Sequence, residues 1–100
     1  MKTLMVKEII KSSMADDADK GGFVFQKILE HSKKDSEIVL DFREIEFASI
    51  AFLNNALGRI FDKSVFDSEK CNVFVDNMDE MMQNSLKEAI TTAVQKYQRF

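Results

Sequence analysis

The chain has 100 residues, 45% hydrophobic and 31% charged, with 14 basic and 17 acidic side chains for a net charge of -3. That length holds one small core and little room for a separate catalytic module, and that composition excludes a disordered chain. Direct nucleic-acid binding is disfavoured, because no Lys/Arg cluster forms a phosphate-neutralising stripe, and no apolar run reaches the about 20 residues of a membrane span.

Residues 4–10 are rich in apolar and β-branched side chains, interrupted by Lys7 and Glu8. They predict a first strand that is partly exposed or at a sheet edge. Residues 12–20 read as a polar connection. Gly21-Gly22 then precede Phe23, Val24, Phe25, Ile28 and Leu29, whose spacing predicts a helix ending near His31. Ile38, Val39 and Leu40 stand in succession within residues 37–42, the pattern of a strand covered on both faces and therefore central in a parallel sheet. A helix over residues 50–63 and a strand over residues 71–75 follow. Met82, Leu86, Ile90, Ala93, Val94 and Tyr97 keep helical period over residues 79–97. Ser85 with Glu88 three residues later is a capping-box pattern that predicts a break near Asn84. The order β-α-β-α-β-α implies one α/β domain over residues 1–100, with a mostly parallel or mixed sheet covered by helices.

The turn after the central strand holds Phe47, Ala48, Ser49, Ile50, Ala51, Phe52, Leu53, Asn54 and Asn55, with Gly58-Arg59 following. Over residues 39–59 this order resembles the STAS superfamily of sulfate-transporter and anti-sigma-factor-antagonist domains, most closely its STAS-like branch of uncharacterised bacterial proteins. The resemblance implies a small STAS-like α/β fold with a non-catalytic, regulatory way of working. In the antagonists this turn holds a serine that a partner kinase phosphorylates to switch binding off. Matching Phe47 and Gly58-Arg59 without gaps places Ile50 where that serine would lie and Ser49 where its preceding acidic residue would lie. A full STAS domain has more strands than are legible here, which implies an unprotected sheet edge favouring dimerisation or docking.

Several side chains invite chemistry. Ser49 can cap the helix that follows, worth about 1 kcal/mol, which explains it without a function. It is also the candidate phosphoacceptor, since a phosphate there would meet the positive end of the helix dipole. Leu53, Ala56, Leu57 and Ile60 form that helix's core stripe, leaving Ile50, Phe52 and Phe61 as candidates for an exposed apolar surface or for gap-filling. Asp16, Asp17 and Asp19 suggest calcium, but an EF-hand starting at Asp16 or Asp17 would need Glu where Lys27 or Ile28 stands, so they read as an acidic approach to a helix N-terminus. His31 has no Cys or second His at ligand spacing for zinc. Gly21-Gly22 matches no phosphate-binding loop. Asp41 ends a central strand, where α/β enzymes keep catalytic carboxylates, yet reads as structural in STAS-like sequences. The lone Cys71 reads as a buried thiol. Met81 and Met82 cannot both face inward on a helix, so one is exposed.

No catalytic residue, metal or cofactor is expected. The leading functional expectation is a protein-interaction domain using the turn and helix 47–61, with Ser49, Ile50, Phe52, Asn54, Asn55 and Arg59 as contacts. The resemblance implies a protein partner with a histidine-kinase-like ATPase domain or another signalling subunit; a homodimer is a further expectation. The alternative is a sensor holding a nucleotide or other anion at the N-terminus of the helix after Ser49. The charged N-terminal segment lacks a signal-peptide core, so a cytoplasmic location is expected.

Overall fold

The computed structural model describes residues 1–98. In chain order the elements are β1 (Lys2–Met5), α1 (Val6–Ile10), β2 (Met14–Ala15), α2 (Ala18–Ser32), β3 (Glu37–Asp41), β4 (Phe47–Ala48), α3 (Ile50–Ala56), a 3-10 turn (Gly58–Phe61), β5 (Asn72–Asp76) and α4 (Glu80–Tyr97). β1, β3 and β5 form a parallel sheet with β3 in the middle, and β2 pairs with β4 in a separate parallel ladder. The fold is α/β, as the run of apolar segments implies, with β3 central.

Alternation along the strands decides which face is covered. Leu4, Ile38 and Leu40 point to the helices and are buried, together with Val24, Ile28, Leu53 and Ala56. The opposite row runs Thr3, Val39 and Phe74 in register. Thr3 and Phe74 are exposed and Val39 is half-buried, so among the described residues this face carries no helix. β3 is thus central without being fully covered on both sides.

Four expectations are corrected. Of the first apolar run only residues 4–5 are strand, the end of β1; Val6, Ile9 and Ile10 follow at helical spacing and pack on the core, with Lys11 closing the turn at φ 56°. The β-branched content suggested strand, but the i, i+3, i+4 pattern won. Residues 12–20 are not merely a connection, because Met14–Ala15 pairs with Phe47–Ala48 and α2 already opens at Ala18 behind the Asp17 cap. The helix after Ser49 stops at Ala56 and continues only as a 3-10 turn. Finally, α4 is unbroken at Asn84: Asp79 caps it by accepting from the Met82 N–H at 2.8 Å, and Ser85 lies mid-helix. Met82 is buried and Met81 is 71% exposed, the division that adjacent helical positions require.

α2 lies directly against α3. A Cβ on Gly21 would run into the Phe52 carbonyl oxygen and stand 3.1 Å from the Ala56 nitrogen, so only glycine permits this approach. The Gly21-Gly22 step therefore serves helix packing. No helix among the described residues is long and apolar enough to cross a membrane.

Candidate functional site

The corner that opens α3 is assembled from two distant segments. The β2–β4 ladder sets Met14 beside Phe47, and the Ser49 N–H donates to the Ala15 carbonyl at 2.9 Å. The ladder is pinned from α2 by Lys20, whose Nζ donates to the Met14 carbonyl at 3.1 Å and to Asp16 Oδ1 at 2.8 Å. The second contact lowers the Asp16 carboxyl below its ordinary range and raises the Lys20 ammonium. Asp17 accepts from the Lys20 N–H at 2.8 Å as the α2 cap, so this acidic run does lead into a helix N-terminus. Among the described residues no group of three or more His, Cys, Asp or Glu is placed to hold a metal.

Ser49 is the α3 cap, its Oγ accepting from the Phe52 N–H at 3.0 Å. Beside it Met14, Phe47 and Ile50 are exposed by 40%, 41% and 39%. Phe52 is different. It is fully buried, edge-on to Phe42 with ring centroids 6.5 Å apart, so the expectation of Phe52 as a partner contact is corrected. Residue 52 falls on the same inward stripe as Leu53 and Ala56, both buried, because α3 packs against both α2 and the sheet end.

The remaining candidates line a groove of about 420 Å³ between α3 and α4, bounded by Ala18, Ala51, Asn54, Asn55, Gly58, Arg59, Thr92, Ala93, Lys96 and Tyr97. Asn55 has a structural duty there, its Nδ2 donating to the Ala18 carbonyl at 2.7 Å. The Arg59 guanidinium lies 4.3 Å from the Phe25 ring centroid and helps to seal that fully buried ring. Asp62 accepts from the Ser64 hydroxyl at 2.6 Å and from its N–H at 3.0 Å. These bonds, with the charges of Arg59 and Lys96, hold its carboxyl below the ordinary range. Asn54 is half-buried in this groove.

The structure thus gathers Asn54, Asn55 and Arg59 into one groove, leaves Ser49 and Ile50 at the start of α3 outside its lining, and withdraws Phe52. Met14 was missed because its pairing with Phe47 spans the fold. Thr92, Lys96 and Tyr97 left a weak signal in the i, i+4 spacing of Thr92 with Lys96.

Asp41 and Cys71, two of the other polar candidates, sit in surroundings that fit structural roles. Asp41 is buried, and its Oδ1 accepts from the Arg43 N–H at 2.8 Å and from Asn77 Nδ2 at 2.9 Å. Burial pushes its carboxyl up, but these bonds and the Arg43 charge outweigh burial and hold it below the ordinary range. That is the reverse of what a general acid at neutral pH needs. Cys71 is buried, and burial with the nearby Asp35 charge raises its thiol, away from the thiolate a nucleophile needs. His31 sits in the last turn of α2.

The family profile of STAS-like domains of unknown function (DUF4325) matches residues 21–81, a span running from Gly21 in α2 through the candidate corner to the start of α4. The chain belongs to the STAS-like domain family. Comparison with curated proteins and with solved structures gives no match. For this STAS-like domain the family membership supports an architecture shared with the anti-sigma-factor antagonists and leaves the activity open.

Proposed function

We propose that this STAS-like domain is a non-catalytic regulatory module that docks a signalling protein on the corner and groove formed by residues 47–61. The observation that carries the reading is the exposure of Met14, Phe47 and Ile50 at the corner that opens α3, three bulky apolar side chains followed along α3 and the 3-10 turn by Asn54 and Arg59 of the polar groove. An apolar centre with a polar rim is the usual anatomy of a protein interface. By family likeness the partner is a protein with a histidine-kinase-like ATPase domain. Phosphorylation of Ser49 would release it, by placing nearly two negative charges beside Ile50 and disturbing the cap.

The test is affinity capture from the source cell with wild-type protein and a Phe47→Asp, Ile50→Asp double variant, followed by titration of the purified partner. An ATPase-fold protein held by the wild type and by a Glu30→Lys control, and lost with the double variant, supports the reading. Equal binding by all three sinks it.

The anion-sensor alternative has less support. α3 is seven residues long, the Ser49 Oγ already takes the Phe52 N–H, and Arg59 is engaged over Phe25. A thermal-shift panel of nucleotides and phosphates tests it, because a saturating ligand raises Tm.

A further inference from the structure

The outer edge of β5 has a register that fits itself. The Asn72 N–H donates to the Ser36 carbonyl at 2.9 Å, and the Phe42 N–H donates to the Asp76 carbonyl at 3.0 Å. Residues 72 and 76 therefore turn their backbone groups towards β3. Because these directions alternate along a strand, Phe74 does the same, and Val73 and Val75 turn both N–H and C=O outwards. Among the described residues no strand pairs with that edge.

We propose that β5 pairs antiparallel with β5 of a second copy across a two-fold axis at Phe74, making one continuous six-stranded sheet. In that register Val73 faces Val75 of the other copy, and the two pairs exchange four backbone hydrogen bonds that use every outward group of the two valines. Phe74 faces Phe74 as a non-hydrogen-bonded pair, the geometry that brings opposed side chains closest. Asn72 faces Asp76, so an amide donor meets each carboxylate and no like charges oppose; an axis at Asp76 would instead set carboxylate against carboxylate.

Both faces gain by this pairing. Phe74 is 49% exposed on the helix-free face, and its twin covers it. On the helix side Val75 is 38% exposed, over a groove lined by Met78, Leu86 and Ile90. Leu86 and Ile90 stand at i and i+4 along α4, a row of apolar side chains beside the free edge. A second copy brings the same row into reach. An edge strand with exposed apolar side chains and no proline, bulge or lysine lacks the usual protection against pairing, and here the pairing is closed and self-limiting.

Sedimentation equilibrium of this chain from micromolar to millimolar concentration reads the result. Wild type shifts from monomer to dimer. Val75→Pro removes an outward N–H while leaving the bonds to β3, so it keeps the far-ultraviolet spectrum and raises the dimer Kd at least about tenfold, two donors being lost per dimer. Phe74→Lys does the same from an exposed position, and it decides the matter if the proline variant fails to fold. In a Cys71→Ala background Phe74→Cys forms an intermolecular disulfide on oxidation, because a Cα separation of about 4.5 Å falls within disulfide reach, whereas Val75→Cys does not. A wild-type chain monomeric at millimolar concentration overturns the proposal. So does a dimer indifferent to Val75→Pro and Phe74→Lys, or one cross-linked through Val75→Cys in preference to Phe74→Cys.

Discussion

The Asn77 side-chain amide donates to Asp41 Oδ1 at 2.9 Å, tying the segment after β5 to the end of β3. Asn77 sits at φ 58°, a left-handed conformation that asparagine tolerates better than most residues. Asn77→Gly keeps the backbone but removes the bond, and should cost about 2 kcal/mol, the scale of a hydrogen bond to a buried charge. Asn77→Ala should cost more, since it adds backbone strain. Urea denaturation of the two variants separates the contributions.

The same carboxylate gives a pH dependence. Its folded-state pKa is lowered, so its contribution is fully present above the unfolded value of about 3.9 and is lost as pH falls through the lower folded value. Tm should therefore fall less between neutral pH and pH 3 in Asp41→Asn than in wild type, although the variant starts lower at neutral pH. Parallel slopes would show that Asp41 is not the group responsible.

Gly21 and Gly22 make a matched pair. Gly21→Ala forces a methyl group against the backbone of α3, and overpacking of that kind costs about 1–3 kcal/mol. At Gly22 the nearest atom to an added Cβ is Asn55 Nδ2, at 3.2 Å. That amide is tied to the Ala18 carbonyl, yet a side-chain tip gives way more readily than backbone, and alanine's better helix propensity offsets part of the crowding. The first variant should unfold at clearly lower urea concentration than the second.

Phe52 and Ser49 need stability controls before any binding assay. Truncating a fully buried phenylalanine costs about 3–5 kcal/mol, a large share of a total near 5–15 kcal/mol. Phe52→Ala would therefore lose a partner by loosening the whole domain. Ser49→Ala should cost only about 1 kcal/mol. Chemical denaturation distinguishes the two directly.

What the sequence discloses follows from where each signal arises. β3 and β5 are legible because their apolar runs are short, bounded by polar residues and matched by burial or pairing. α4 is legible because six apolar positions share one period. The β2–β4 ladder is not, since two-residue strands leave no period and their pairing joins positions 33 residues apart. Val6, Ile9 and Ile10 pull towards strand by composition and towards helix by spacing, and packing on the core decides it. Ser85 and Glu88 satisfy a capping pattern, but Asp79 already opens the helix. At the candidate site residue types foretold the Ser49 cap, whereas the burial of Phe52 and the seat of Arg59 on Phe25 depend on how three helices meet.

Tyr97 lines the groove between α3 and α4, and the chain has one tyrosine and no tryptophan. Ultraviolet-excited emission from the folded protein therefore arises chiefly from a single ring at the rim of the surface argued to receive a partner. Filling the groove with a tryptophan-free binder would change that ring's polarity and quenching, so occupancy can be followed by intrinsic light alone, without a dye or an engineered label.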